Sequence, residues 1–235
     1  MCSSQIIDIL SLQKGSMGEM YVKLPDERPG IYKAYLQLPK NSILVKEIEN
    51  LFFFNGKEQH KILVVGRPGI GKTILTKKIL CQWITSEDCF WSEKFVILLR
   101  FRTFNAEQNK NTTLKNMLSF GEGLSAAADF DGVYEYILSN PEKVILIFDG
   151  LDELQVDCDN CYREAEDTPN DYNRCMSIFS VFKKLVCGKF LPDATVLITS
   201  RPTAEHIYDK LPFEINFEIL GFTKPTNFAD DSCGT

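Results

Sequence analysis

A glycine-rich segment with one lysine and one threonine is the first place where residue types and spacing could do chemistry. It reads GRPGIGKT, from Gly66 to Thr73, and fits the pattern G-x-x-x-x-G-K-[ST] at every fixed position. Backbone amides can converge on phosphate oxygens where no Cβ blocks them, and Gly66, Gly69 and Gly71 remove that obstacle. The segment therefore predicts a site for the phosphates of a nucleotide.

The other positions of this segment have separate expected roles. Lys72 would place a point charge on the β- and γ-phosphates, and Thr73 would offer a hydroxyl to Mg²⁺. Pro68 has no amide hydrogen, so it shapes the loop without donating. A helix that begins at Thr73 would aim its N-terminal dipole at the same anion. The predicted phosphate-binding set is Gly66, Arg67, Pro68, Gly69, Ile70, Gly71, Lys72 and Thr73.

A second stretch, KVILIFDGLDEL, places acids directly after an apolar run. A strand that ends at Asp149 delivers a carboxylate to the carboxyl edge of a sheet, where open α/β sheets bind ligands. There Asp149 could hold Mg²⁺ opposite Thr73, directly or through water. Asp152 or Glu153, on the next turn, could orient or deprotonate an attacking water. The structural alternative is an Asp-Gly turn whose acids cap the next helix.

A third apolar run, in TVLITSRP, ends in polar groups as well. Arg201 could reach the γ-phosphate and stabilise its charge, although an arginine at a strand end is also common on protein surfaces. The candidate catalytic residues are thus Asp152, Glu153 and Arg201, and the candidate metal ligands are Thr73 and Asp149.

The elements that must position these residues alternate along the chain. Continuous runs of Val, Ile, Leu and Phe are typical of strands buried on both faces, and their alternation with helical patterns predicts a parallel sheet. The predicted fold class is α/β, a P-loop NTPase three-layer sandwich with a mostly parallel five-stranded sheet covered by helices on both faces. The predicted strands are 62–65, 95–101, 144–148, 195–199 and 213–220, and the predicted helices are 41–54, 73–84, 114–120, 132–139 and 174–186. The acidic stretch 155–173 is long for a connection, and we expect a solvated or disordered insertion there.

Composition excludes several classes of protein. The chain has 235 residues, 44% of them hydrophobic, which suffices for one large α/β domain with or without a small appendage. A net charge of −6 argues against a nucleic-acid partner, and the apolar runs are far shorter than the ~20 residues of a membrane span. Eight cysteines in a core-rich chain, with no basic leader at its start, predict a reduced cytoplasmic protein.

The three motifs together resemble the NACHT branch of the signal-transducing ATPases, the group that includes the NOD-like receptors. The similarity extends to KILCQWITSEDCFWSEKFVILLRFR and to FEILGF, so that it covers residues 35–222. It implies that the strand before Arg201 lies between the strands before Gly66 and Asp149. It also implies binding of ATP or ADP with Mg²⁺, slow hydrolysis, and a switch that controls self-assembly with family partners in innate immune or cell-death signalling. On this basis Asp149 would hold Mg²⁺ and Arg201 the γ-phosphate.

The resemblance divides the chain into a weakly structured N-terminal segment (1–34), the nucleotide-binding core (35–222) and a polar C-terminal tail (223–235). Family members continue into helical and winged-helix domains that close over the nucleotide, whereas this sequence ends at Thr235. We therefore expect the core alone, as an excised fragment, an incompletely assembled gene or a natural short form. Two functions stay open: a slowly hydrolysing ATP switch, or a non-hydrolysing nucleotide-binding module that docks onto longer relatives.

Other kinds of site fit the sequence less well. The only Asn-Lys pair, at Asn109, lacks the aspartate of a guanine reader, and LSFGEG matches the signature loop of an ABC-type ATPase only superficially. A small-molecule kinase stays open, but the sequence offers no arginine-rich lid segment for it. Cys158 and Cys161 have the spacing of zinc ligands, but no second pair or nearby histidine completes a set of four.

Overall fold

The computed structural model describes residues 19–23, 43–45, 47–105, 111–122, 124, 129–155 and 158–221. The strands are β1 (Glu19–Lys23), β2 (Ile43–Val45), β3 (Phe53–Phe54), β4 (Lys57–Glu58), β5 (Lys61–Gly66), β6 (Phe95–Arg100), β7 (Asn111–Thr112), β8 (Val144–Asp149), β9 (Met176–Ser177), β10 (Thr195–Ser200) and β11 (Ile215–Gly221). The helices are α1 (Lys72–Thr85), α2 (Cys89–Ser92), α3 (Leu114–Ser119), α4 (Phe130–Ser139), α5 (Cys158–Asp167), α6 (Ile178–Val186) and α7 (Glu205–Tyr208). Short 3₁₀ turns cover Ile48–Leu51, Phe101–Asn105, Pro141–Lys143, Leu151–Glu153 and Pro202–Ala204.

A single large sheet forms the centre of the fold, with its strands in the order β2-β1-β11-β5-β10-β8-β6. The five strands from β11 to β6 are parallel, which confirms the predicted α/β fold with β10 between β5 and β8. Strands β1 and β2 extend the sheet beyond β11 as antiparallel additions, and β1 lies within residues 1–34. Because β5, β8 and β10 run in the same direction, the segments that follow them meet at one edge.

Side chains of the parallel strands alternate between two apolar clusters, one on each face of the sheet. In β8, Leu146 and Phe148 lie in one cluster, whereas Ile145 and Ile147 lie in the other. Helices α3, α4, α6 and α7 contribute to the first cluster, and α1 and α2 to the second. Burial on both faces explains why β5, β6, β8 and β10 are continuous apolar runs. Among the described residues, no helix has the length and apolar character needed to cross a membrane.

The predicted helix over residues 41–54 is wrong. Its described part holds β2, one 3₁₀ turn and β3 instead. β3 pairs with β4 across Asn55 and Gly56, whose φ angles are 51° and 74°. Two consecutive positive φ values are the signature of a tight hairpin turn, for which Asn-Gly is the preferred pair. That local signal outweighs the apolar spacing that favoured a helix.

The expected solvated insertion over residues 155–173 is wrong as well, because α5 occupies most of it. Tyr162 and Ala165 of α5 are buried, and α5 packs against α6. The predicted helix over 174–186 begins only at Ile178, since Met176–Ser177 pairs with β7 and Ser177 caps α6. Most of the side chains that hold α5 in place are polar, and its sequence therefore resembles that of a loop.

Candidate functional site

The glycine-rich loop connects β5 to α1 at the carboxyl edge of the sheet. Gly69 and Gly71 have φ angles of 72° and 113°, in the left-handed region that glycine adopts without strain. A Cβ at position Gly66 would lie 2.7 Å from Ile70 Cγ2, so a larger residue there would force Ile70 or the loop to shift. The first hydrogen bond of α1 runs from Leu75 N to Gly71 O at 2.9 Å. The amides of the first turn therefore remain for a ligand, as helix geometry requires.

Lys72 lies folded back over this loop. Its Nζ donates to Gly66 O at 2.7 Å and to Arg67 O at 3.0 Å. Burial lowers the pKa of Lys72; among the neighbouring charges, Asp152 opposes this shift most and Arg201 adds to it. The ammonium is thus held beside the loop by two carbonyls instead of extending into solvent.

Asp149 is bonded by threonines from two directions. Thr73 Oγ1 donates to Asp149 Oδ2 at 3.0 Å, and Thr199 Oγ1 donates to Oδ1 at 2.6 Å. Thr199 Oγ1 in turn accepts from Gly150 N at 3.0 Å. Only 7% of Asp149 is exposed. The structure therefore brings the predicted metal ligands Thr73 and Asp149 into direct contact.

Thr199 is a site residue that the sequence interpretation missed. The available signal was a hydroxyl near the end of an otherwise apolar strand, next to the strand that carries Asp149. Asn105 was missed too: its Nδ2 donates to Glu153 O at 2.7 Å and its Oδ1 accepts from Gln155 N at 3.1 Å. No local pattern marks Asn105, since its partners are remote in the chain.

The oxygen atoms of Thr73 and Asp149 fit a Mg²⁺ ion. Mg²⁺ prefers hard oxygen ligands and is usually bound by one or two protein groups together with water and substrate phosphates. A hydroxyl and a carboxylate 3.0 Å apart, beside an anion-binding loop, supply such a set. For zinc, the side chains of Cys158 and Cys161 lie outside the described part. Within that part, no group of three or more His, Cys, Asp or Glu residues could hold a metal.

Arg201 and Asp152 form an ion pair next to these residues. Arg201 Nε lies 2.9 Å from Asp152 Oδ2, and Arg201 N donates to Oδ1 at 3.0 Å. The Asp152 side chain is 8% exposed, whereas that of Arg201 is 42% exposed. Glu153, the third candidate catalytic residue, has an exposed side chain. Asp152 is thus engaged by Arg201, and Glu153 faces solvent.

A cavity of about 250 Å³ is lined both by the glycine-rich loop and by the segments that follow β8 and β10. Its lining is formed by Pro68, Gly69, Gly71, Lys72, Thr73, Ile74, Asp149, Gly150, Asp152, Glu153 and Arg201. Three members of the predicted phosphate-binding set lie outside this lining. Gly66 and Arg67 supply the carbonyls that bind Lys72, and Ile70 packs against the apolar cluster on the α1 face.

Comparison with known proteins identifies a family that matches this sequence. A family model described as "NACHT domain" matches residues 60–229. The relatives include NACHT, LRR and PYD domains-containing protein 3 of Rattus norvegicus, 29% identical over 70% of this chain and 15% of the relative. Protein NLRC5 of Ictalurus punctatus is 32% identical over 69% of this chain and 9% of the relative. NACHT, LRR and PYD domains-containing protein 4B of Mus musculus is 32% identical over 74% of this chain and 20% of the relative. The matched region is thus a fifth or less of each of these curated relatives.

Proposed function

The chain belongs to the NACHT domain family, and from this premise we propose that it binds ATP or ADP with Mg²⁺ and acts as a slowly hydrolysing, nucleotide-dependent signalling switch. The observation that carries the proposal is the 3.0 Å contact between Thr73 Oγ1 and Asp149 Oδ2, at the first turn of the helix that follows the glycine-rich loop. The preference for adenine, the slow hydrolysis and the signalling role rest on family membership. NOD-like receptors among the relatives support a role in innate immune or cell-death signalling.

Several groups at the site have distinct tasks in the proposed complex. The first-turn amides of α1 and the Lys72 ammonium bind the phosphates, and Thr73 and Asp149 hold Mg²⁺. When bound, Mg²⁺ neutralises charge on the phosphate oxygens. Thr199 keeps one oxygen of Asp149 occupied, so that the other oxygen stays directed at Thr73.

The ion pair between Asp152 and Arg201 supports the switch part of the proposal. A γ-phosphate would compete with the Asp152 carboxylate for the Arg201 guanidinium, because both are anions that accept from the same donors. ADP, which lacks that phosphate, would leave the pair intact. The two nucleotides would therefore favour two arrangements of the same side chains.

A second candidate function is a non-hydrolysing nucleotide-binding module that docks onto longer relatives. The observation that favours it is the engagement of Asp152: both of its carboxylate oxygens already contact donors of Arg201, which makes this acid a weaker base for a water molecule. Glu153 would then be the remaining acid that could act on water.

Location, partners and domain limits belong to the same proposal. We place the protein in the cytoplasm, as a nucleotide-binding core over residues 35–222 between an N-terminal segment, 1–34, and a polar tail, 223–235. Self-assembly with NACHT-family partners is proposed from family membership. The net charge of −6 supports the proposed lack of nucleic-acid partners.

The nucleotide proposal is tested by removing the Lys72 ammonium. We expect Mg-ADP and Mg-ATP to raise the free energy of unfolding of the wild type by about 2.7 kcal/mol at a hundredfold excess over Kd. Lys72→Ala should abolish that increase, while the nucleotide-free fold changes by about 1 kcal/mol or less. Denaturant unfolding with each nucleotide, with GTP for comparison, measures this. Lys77→Ala, a change of the same charge on the same helix, is the control. Equal stabilisation of wild type and Lys72→Ala would refute the proposal.

Turnover separates the two candidate functions. If the protein is a slow ATPase, Glu153→Gln should lower the single-turnover rate of Mg-ATP at least tenfold, and Asp152→Asn should lower it through the loss of the Arg201 pair. If wild type and both variants bind nucleotide but release no phosphate, the protein is the non-hydrolysing module.

A further inference from the structure

The 3₁₀ turn that carries Asp152 and Glu153 is held from outside by one side chain. Asn105 donates from Nδ2 to Glu153 O at 2.7 Å and accepts at Oδ1 from Gln155 N at 3.1 Å. A carbonyl can only accept and a backbone amide can only donate, so these partners determine the orientation of the Asn105 amide. The Asn105 side chain therefore forms two hydrogen bonds with the backbone at the exit of the turn, which is its C-terminal end.

The segment that carries Asn105 is anchored by buried aromatic side chains. Asn105 ends the 3₁₀ turn that begins at Phe101, and Phe101 and Phe104 are both buried. The Phe101 ring lies 5.5 Å from the ring of Phe148 and 5.0 Å from that of Phe182, measured between centroids. Phe148 directly precedes Asp149. The segment that carries Asn105 is thus packed against β8, the strand that ends at the proposed metal ligand Asp149.

The entrance of the turn is held as well. Gly150 has a φ of 81°, and its N–H donates to Thr199 Oγ1 at 3.0 Å. Between this entrance and the Asn105 contacts, Asp152 accepts from the backbone N–H of Arg201 and pairs with its guanidinium. The position of the turn therefore determines where Arg201 lies.

We propose that Asn105 is a positioning residue that sets the relative affinity of the site for ATP and ADP, by keeping Asp152 paired with Arg201; this inference rests on the proposed function. Asn105 does not line the cavity, so it acts through the turn. The γ-phosphate is the difference between the two nucleotides, and Arg201 is the group proposed to respond to it. Once the exit of the turn is released, Asp152 no longer holds Arg201 in place. Asp152 then competes less with the γ-phosphate for Arg201, so affinity for ATP should rise, while the contacts to the other phosphates remain.

The experiment compares two Asn105 variants that lose different hydrogen bonds. Asn105→Ala removes both hydrogen bonds, whereas Asn105→Asp keeps the shape and the acceptor for Gln155 N but loses the donor to Glu153 O. Asn140→Ala is the matched control, because Asn140 is also half-buried and donates from Nδ2 to one backbone carbonyl, Tyr136 O at 3.1 Å. Calorimetric titration gives Kd for Mg-ADP and for Mg²⁺ with an ATP analogue that has a non-hydrolysable β–γ bridge.

We expect both Asn105 variants to raise the ratio of ATP-analogue affinity to ADP affinity by about tenfold, with ADP affinity within about twofold of wild type. Asn140→Ala should change neither value. A ratio that is unchanged or lowered would overturn the inference, and so would an equal change for both nucleotides. Failure of the proposed function looks different: there the wild type binds no nucleotide, or Lys72→Ala binds as well as wild type. If Asn105→Ala does not fold, Asn105→Asp alone decides the outcome.

Discussion

At the scale of single residues, the site depends on how a nearly buried carboxylate is satisfied. Burial of a charge is costly unless hydrogen bonds replace its lost hydration. Asp149, 7% exposed, receives one hydroxyl from the loop helix and one from β10. Thr199 has no exposed surface, and its hydroxyl both donates to Asp149 and accepts from Gly150 N. One buried hydroxyl thus links the carboxyl ends of β8 and β10.

Replacement of that hydroxyl should affect both stability and metal-dependent binding. Thr199→Val keeps the shape but leaves Asp149 Oδ1 and Gly150 N without their partner, so we expect the free energy of unfolding to fall by about 1–3 kcal/mol. We also expect nucleotide affinity in the presence of Mg²⁺ to fall by about tenfold, because Asp149 is no longer oriented toward Thr73.

Thr195→Val is the control for this change. Thr195 is 2% exposed and begins the same strand at the opposite edge of the sheet. The Thr195→Val variant should lose little nucleotide affinity. Equal losses of affinity in the two variants, measured by calorimetric titration, would mean that Thr199 has no special role in the site.

At the scale of elements, α5 shows how a largely polar helix can be part of the core. The Tyr162 ring packs 4.8 Å from the Phe179 ring, and its hydroxyl donates to Ile207 O. Glu164 accepts from Ser177 N at 3.3 Å and from Ser180 Oγ at 2.7 Å, at the N-terminus of α6. With α5 in place, every residue of α6 is buried.

Two lysines of α6 also depend on α5 and the segment after it. Lys183 Nζ donates to Glu166 Oε1 at 2.7 Å and to Tyr162 O at 3.2 Å. Lys184, 1% exposed, donates to Thr168 O at 2.8 Å and to Asn170 Oδ1 at 3.0 Å. Buried ammonium groups need such acceptors, so release of this region would leave two charges unsatisfied.

Removal of the Glu164 carboxylate should loosen α5. Burial opposes ionisation of Glu164, but the hydrogen bonds from Ser177 and Ser180 outweigh it and leave its pKa lowered. The carboxylate therefore adds stability at neutral pH that is lost as pH falls below its usual pKa of 4.5. Glu164→Ala should lower the free energy of unfolding by about 1 kcal/mol and raise amine labelling of Lys184 several-fold.

Glu166→Ala, on the same helix, is the control for α5. Glu166 is exposed and pairs with Lys183, which keeps Tyr162 O as a second acceptor when the Glu166 carboxylate is removed. Labelling of Lys184, followed by mass spectrometry, should stay near the wild-type rate in this variant. If Glu164→Ala labels no faster than Glu166→Ala, the Glu164 contacts do not hold α5 in place.

At the scale of the whole molecule, the amino edge of the sheet carries a buried amine. Lys61 is 7% exposed at the start of β5, and its Nζ donates to Ala194 O at 2.6 Å. Burial lowers the pKa of Lys61 from 10.5 to about 8, against the opposing charges of Glu214, Asp193 and Cys187. The unfolded chain therefore binds more protons than the folded one between these two values, and stability should rise with pH across that window.

Lys61→Met should remove this contribution to global stability. The free energy of unfolding of the wild type, minus that of the variant, should rise by about 1–3 kcal/mol from neutral pH to about pH 10. Chemical denaturation at several pH values measures the difference and cancels groups that titrate equally in both proteins. Lys77→Met, which changes a half-buried lysine of α1, is the control for the loss of one lysine. A difference that does not change with pH for Lys61→Met would contradict the role given to burial.

The main parts of the architecture follow from local patterns in the chain. Continuous apolar runs indicated four of the five parallel strands, β5, β6, β8 and β10, because strands buried on both faces need no polar positions. β11 is different, since Asn216 and Glu218 alternate with its apolar residues. The stretch GRPGIGKT indicated the phosphate loop, since its glycines serve a conformation set within a few residues. Asn55-Gly56 shows that a further element, the β3–β4 hairpin, was also readable from local sequence although the helix pattern obscured it.

By itself the sequence determined which residues could bind phosphate and Mg²⁺, because those requirements are met by residue type and short spacing. Only the tertiary structure decided the contacts between segments: Thr199 on Asp149, Asp152 with Arg201, and Asn105 on the turn at Glu153. Their partners are 48 to 50 residues apart in the chain. Such pairs form where strand order and packing bring remote segments to one edge of the sheet, and no local pattern records that arrangement.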